Sequence, residues 1–281
     1  MVELPARDHG ASTGGAPTRA ALAVLAPVRG TFKLLLPFAV LVGVWQIAAT
    51  VSGYSSYLFP RPTDVAAAFW DLGRKGILPA YIADSMTVWL IGALSGAAVG
   101  IGLGFVLAFS RPLRALFLPA VRFFVAIAEL AWLPLIILWF QFGFTAVLFM
   151  IWYTVLFPVL FNVLTGIEAV PNVTRQAVRT LGANRWQLVR EVLFPGALPS
   201  VVTGFRIGAG YAFRALIIAE AFAAGSGVGF LIFESRETGL TERTMVGMIV
   251  FGLIWLVVDR LFLRPIEVAT VERWGMTAAR L

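Results

Sequence analysis

Six apolar stretches, each close to the length a helix needs to cross lipid, leave this chain no ordinary water-soluble fold to adopt. A hydrocarbon core of ~30 Å takes about 20 mostly apolar residues in helical form. The runs Leu34–Val51, Met86–Phe109, Leu116–Phe140, Thr145–Thr165, Val201–Ala223 and Met245–Leu263 meet that demand. Of the 281 residues only 13% are charged, against roughly 25% in a soluble domain, so lipid must cover what polar surface cannot. The expected fold is all-α and integral to a membrane, with about six spanning helices. A tight turn over Phe140–Thr145 should make the third and fourth spans an antiparallel hairpin.

The net charge of +7 would suit nucleic acid if it formed one patch. Instead the basic residues fall between the apolar runs, which reads as membrane topology and excludes nucleic acid as a partner. With both termini in the cytoplasm, Arg7, Arg19, Arg29, Lys33, Arg111, Arg114, Arg175, Arg179, Arg185, Arg190, Arg260, Arg264, Arg273 and Arg280 lie inside. Only Arg61, Arg74, Lys75, Arg236 and Arg243 then face outside. The resulting plan is a flexible cytoplasmic tail over 1–30, a membrane domain over 31–265 with a cytoplasmic loop at 166–200, and a cytoplasmic tail over 266–281. The apolar run Ala20–Ala26 is broken by Pro27 and Arg29, so no signal peptide is expected there. There is no cysteine, and the one histidine, His9, sits in the tail. Thiol chemistry is excluded and no metal site is expected.

Two local patterns bear on packing. Gly92, Gly96, Gly100 and Gly104 recur every four residues on one face of the second span. Small residues so placed let helix backbones approach closely, either within the bundle or against another subunit. In the outer segment Ser52–Ser85, Pro60 and Pro62 fix an extended entry. Thr63 is a candidate cap and Asp64 suits the start of a short helix.

The inner loop is more informative. Asn172 is a candidate N-cap and Gly182 a candidate C′ residue, framing a helix of two to three turns. Val173, Ala177, Val178 and Leu181 form its apolar face; Arg175 and Arg179 point elsewhere. A second helix starts at Asn184, carries Trp186, Val189 and Leu193, and is expected to stop at Pro195, with Pro199 marking the return to the membrane. A short amphipathic helix cannot bury its stripe within such a loop, so it docks on a partner or lies on headgroups.

The loop resembles the signature loop of bacterial ABC importer permeases, in which a Glu-Ala-Ala triplet is followed by Gly and then a spaced Ile-x-Leu-Pro. Here those places hold Gln176-Ala177-Val178, Gly182 and Val192-Leu193-Phe194-Pro195. Gln176 stands where the family has glutamate. The resemblance covers most of residues 54–275 and is closest to the taurine, alkanesulfonate, nitrate and bicarbonate permease group. It is carried by Phe59-Pro60-Arg61-Pro62, Ala131-Trp132-Leu133-Pro134-Leu135, Phe157-Pro158, Leu181-Gly182-Ala183, Gly227-Val228-Gly229-Phe230-Leu231 and Asp259-Arg260. It implies a MetI-like type I importer fold in the bacterial inner membrane, a permease dimer, two cytoplasmic ATPase subunits and an external solute-binding protein. It also implies an ATPase-coupling role for Arg175, Gln176, Ala177, Val178, Arg179, Leu181, Gly182, Ala183, Trp186 and Pro195. The chain has no GxxxxGK[ST] phosphate loop, so ATP and Mg²⁺ belong to the partner ATPase and no cofactor is expected here. The glycines of Gly225-Ser-Gly227-Val-Gly229 read as a turn.

Arg122, Glu129, Arg206, Arg214 and Glu220 fall in or near spans, where a central charge costs ~2.5–3.5 kcal/mol unless paired or wet. Arg122 and Arg206 are near the ends and can snorkel. Glu129, Arg214 and Glu220 are candidates for the translocation path. Arg214 either faces that path, where it would attract a small anion, or forms a structural ion pair with Glu129. No nucleophile–base pair or paired carboxylates suggest catalysis. A stand-alone secondary transporter or channel is the alternative, though no internal repeat supports it.

Overall fold

The structure, a computed structural model, describes residues 36–273. The expected tail at 1–30, with His9, and the last residues of the C-terminal tail, 274–281, lie outside the described residues. The described residues before Ser55 hold one apolar helix, α1 (Leu36–Val51), which forms a unit of its own. The second unit begins at Ser55.

In the second unit α2 (Pro62–Arg74) starts at Pro62, whose missing N–H costs nothing at a first helical position. Thr63 is not its cap: the N-cap is Arg61, two residues earlier, and Asp64 accepts from the Arg61 N–H at 3.2 Å. α3 (Ile77–Phe109) starts well ahead of the expected Met86 because Gly76, at φ 72°, turns the chain straight into it. Its 33 residues extend about 50 Å at 1.5 Å each, longer than a bilayer core.

The expected third span, Leu116–Phe140, is not one helix. α4 (Arg111–Ala126) ends in extended backbone at Ile127 and Ala128, a 3₁₀ turn covers Glu129–Trp132, and α5 (Leu133–Phe140) leaves at 90°. Pro134 suits the restart at α5, while the extended residues themselves lie six or more positions earlier. In a continuous helix its ring would meet the carbonyl four residues back, whereas near the start of α5 it needs no hydrogen bond. Only α5 therefore makes the expected hairpin, turning through Gln141 and Gly143 into α6 (Phe144–Ala169). Among the described residues four unbroken helices are long and apolar enough to cross a membrane, and the bent pair makes a fifth.

α6 is the centre of the core. Val147, Met150, Ile151, Val155, Val159 and Val163 are buried on it, between α3 and the later helix α9 (Phe194–Ala223). The glycine row of α3 faces α6. A Cβ on Gly96 would lie 2.6 Å from the Trp152 carbonyl oxygen, and one on Gly100 would lie 2.6 Å from that of Leu156. A Cβ on Gly92 would meet the Ile151 side chain at 2.8 Å, and one on Gly104 the Val163 side chain at 2.7 Å. The spacing thus serves contact within the chain, where close backbones gain dispersion that lipid does not offer.

Pro195 does not stop the second loop helix. α8 (Arg185–Gln187) passes through a π-helical turn, Leu188–Leu193, into α9 as one rod. The wider turn, with the Phe194 N–H on the Val189 carbonyl, re-routes the ladder ahead of the proline. A second π turn, Asp259–Leu263, joins α11 (Thr241–Val258) to α12 (Arg264–Arg273). The stretch expected as a tail from 266 is therefore helical as far as Arg273.

The same turn overturns the reading of Arg206 as a snorkelling end charge. Its guanidinium donates to Asp259 at 2.9 and 3.1 Å and pairs with Glu267. It fastens α9 to α12 across a face that sequence distance hides. α10 (Val228–Glu237) closes the bundle against α9 and α11, where Phe213 lies 4.2 Å from Phe251 and 5.0 Å from Trp255 between ring centroids.

Candidate functional site

The loop between α6 and α8 folds as local chemistry dictates. α7 (Asn172–Thr180) begins one residue earlier than expected: Pro171 is the N-cap, its carbonyl accepting the Arg175 N–H at 3.3 Å, and Asn172 is the first helical residue. At the other end Gly182, at φ 87°, is C′ of a complete Schellman motif. The Ala183 N–H reaches the Val178 carbonyl at 3.2 Å and the Gly182 N–H reaches that of Arg179 at 3.0 Å. Asn184 then caps α8 reciprocally with Gln187, both bonds at 2.8 Å. Two capped helix ends back to back give this loop a fixed shape.

Its anchorage is one-sided. Arg175 donates to the Ile167 carbonyl at the end of α6, and Val178 packs on the core with Val192. Arg114 of α4 pairs with Glu168 at the same end of α6. Val173 at 76%, Leu181 at 86% and Trp186 at 69% remain exposed, with Gln176, Ala177 and Arg179 between them. The predicted apolar face is split: Val178 turns inward, and the rest is presented outward.

The three candidate path residues are separated. Glu220 is 2% exposed and sits where α9 turns into α10. Its carboxylate accepts from Ser85 Oγ of α3 at 2.9 Å and from the Gly229 N–H at 2.8 Å, and Ser85 Oγ accepts from the Val228 N–H at 2.9 Å. Gly227, at φ 109°, lies so close that a Cβ would stand 2.5 Å from the carboxyl. The glycine alternation at 225–229 is thus a turn shaped around a buried carboxylate, which also meets the open N–H groups of α10. A neighbouring cavity of about 160 Å³ is lined by Asp84, Thr87, Glu220 and Ser226 among others. Replacing Glu220 with alanine strands a hydroxyl and a backbone N–H, each worth about 1–3 kcal/mol when buried. We expect the purified Glu220→Ala protein to melt clearly below wild type in a detergent thermal-unfolding assay, with Glu220→Gln losing less.

Glu129 lies on the 3₁₀ turn between α4 and α5 and opens on a second cavity of about 110 Å³, with Phe124, Tyr153, Thr154, Phe157 and Tyr211 among its lining. Arg214 does not pair with it. Its guanidinium lies over the Tyr211 ring at 5.0 Å, and its Nε donates to the Gly210 carbonyl at 3.3 Å. The Ser85–Glu220–Gly229 network and the Arg206 triad escape sequence reading. The one signal for the former is the glycine run that makes room for the carboxyl.

An apolar bundle with a broken span, a glycine-packed core and a capped loop helix presented outward is the architecture of a multi-span membrane protein. The chain belongs to the family of binding-protein-dependent transport system inner membrane components, which it matches over residues 100–263. It is 32% identical to the taurine transport system permease protein TauC of Escherichia coli over 77% of this chain and 80% of that one. It is 33% identical to the nitrate import permease protein NrtB of Synechocystis over 79% and 83%. In three dimensions it resembles a chain of the inward-facing MetNI methionine ABC transporter, with TM-score 0.55, 19% identity, and 67% of this chain and 95% of that one covered. The fold is that of MetI-like ABC permeases, and members of the family are transport subunits rather than enzymes.

Proposed function

We propose that this chain forms, with a second copy of itself, the inner-membrane path by which an ABC importer brings in a small acid-bearing solute: a sulfonate, taurine, nitrate or a carboxylate. An external binding protein delivers the solute, and two cytoplasmic ATPase subunits bind ATP and Mg²⁺ and hydrolyse the nucleotide. The solute class is supported by the relatives named for taurine and nitrate and by Arg214, a cation within a predicted span with no carboxylate partner among the described residues. α7 and the cap at Gly182 are the coupling element.

The observation that carries this reading is the outward set Val173, Leu181 and Trp186 on a loop whose shape is fixed from both ends. Such a surface, backed by the core through Val178, can receive a push without deforming and hand it to α6 and α9. Because the chain has no cysteine, Leu181→Cys gives a single reporter without background. Paired with a cysteine in the groove of the co-expressed ATPase, it should form a crosslink whose yield changes with ATP. No crosslink at any nucleotide state in an active importer would remove α7 from the coupling role.

A further inference from the structure

The break between α4 and α5 carries an inference about the solute, which rests on the proposed acid-bearing class. In lipid, non-helical backbone persists only where protein buries it or where it lines a cavity, and Glu129 stands at that break. Among the described residues it has no ion-pair or hydrogen-bond partner. Four aromatic side chains, Phe124, Tyr153, Phe157 and Tyr211, line the same cavity, beside Val125, Ile127, Thr154 and Pro158. Tyr153 is held by its hydroxyl, which donates to the Phe124 carbonyl at 3.0 Å on the last turn of α4. Its ring lies 4.9 Å from that of Phe157 and 5.8 Å from that of Trp132. Aromatic rings beside one carboxylate are the chemistry that recognises an ammonium group, through cation–π attraction and charge pairing.

A bare anion would gain nothing from Glu129 and would be repelled by it. Yet the cavity shares Tyr211 with Arg214, whose guanidinium lies over the ring of Tyr211 one helical turn away on α9. Tyr211 thus lines the cavity that holds the Glu129 carboxylate and carries the Arg214 guanidinium over its ring, and the two charges do not pair. An engineered cavity of about 150 Å³ holds benzene, so 110 Å³ has room for an amine and its adjoining carbon rather than a whole solute. We propose that the solute is zwitterionic: its ammonium group enters the aromatic cavity against Glu129 while its acid group remains on the Arg214 side of Tyr211.

The test uses the complete permease–ATPase complex in nanodiscs and equilibrium binding of ethanesulfonate and 2-aminoethanesulfonate, which differ by the amine. Wild type should hold the amino compound about tenfold more tightly, consistent with a partly desolvated cation–π and charge contact. Glu129→Gln should remove that preference, with ethanesulfonate bound no more weakly than by wild type, and Glu129→Asp should keep most of it. Equal binding of the two by wild type, or a preference that survives Glu129→Gln, overturns the zwitterion assignment. The acid-bearing reading stands separately if Arg214→Ala abolishes ethanesulfonate binding. If ethanesulfonate fails to bind, or binds regardless of Arg214, that reading falls and this one with it. Should Glu129→Gln not fold, Phe157→Leu takes its place, removing one ring of the cavity: the amine preference should fall, and an unchanged preference overturns the assignment.

Discussion

Replacing Gly96 with leucine is expected to destroy the folded bundle. The glycine has no neighbour it could push aside: a Cβ there would lie 2.6 Å from the Trp152 carbonyl oxygen and 3.2 Å from its Cα. Both are backbone atoms of the helix at the centre of the core, so relief requires α3 and α6 to separate. Separation is felt along the whole glycine row, because Gly92, Gly100 and Gly104 rely on the same approach. Overpacking of a dense core costs about 1–3 kcal/mol even where side chains can adjust. Here backbone must move over several turns, and in lipid the lost contacts are not replaced by a hydrophobic gain. Size-exclusion chromatography of a fluorescent fusion should show Gly96→Leu as aggregate, whereas Gly102→Leu, with nothing within 4 Å, should elute as wild type. A monodisperse, thermally unchanged Gly96→Leu would mean that α3 and α6 do not pack as described.

Replacing Leu181 with aspartate should do the reverse, leaving the permease folded and ending its transport. Leu181 is 86% exposed, and a surface substitution of that kind usually moves stability by no more than about 0.5 kcal/mol. In the proposed assembly the side chain is buried in the ATPase groove, where a leucine contributes about 1.5–3 kcal/mol. An unpaired carboxylate in its place adds a desolvation penalty, so the docking loss should reach hot-spot size, at least about 2 kcal/mol. Expected results are a wild-type melting temperature, at least a thirtyfold weaker association with the ATPase, and uptake at background in proteoliposomes. Gly182→Val approaches the same outcome through the backbone. At φ 87° no neighbour obstructs a Cβ, but a β-branched residue pays about 1–2 kcal/mol to stay left-handed. The Schellman bonds that aim Leu181 would be strained or lost. ATP hydrolysis that continues without uptake would identify uncoupling; intact uptake in either variant would show that this cap transmits nothing.

The amino-acid sequence by itself determined whatever depends on neighbours along the chain. Hydropathy located α1, α3, α6, α9 and α11, each overlapping its expected run though α3 and α9 begin well ahead of theirs, since each helix satisfies its own backbone and needs only an apolar exterior. The loop's turn was legible at Gly182 and Asn184, because caps act within a few positions of themselves, whereas the expected stop at Pro195 was not, because a π turn carries the helix through it. The glycine row announced a close contact through its spacing. Tertiary structure decided which helix that contact meets, and it decided every interaction spanning many residues. Nothing in Val125-Ala126-Ile127-Ala128 distinguishes a break from a continuous span, so a hydropathy window passes over it. Asp259 comes to Arg206 only through a π turn, and Ser85 reaches Glu220 only because α3 and α9 lie side by side. A carboxylate's sequence neighbours do not reveal whether it will be paired, capped or left facing a cavity; the packing of distant helices sets that, and it gave Glu220 and Glu129 opposite surroundings.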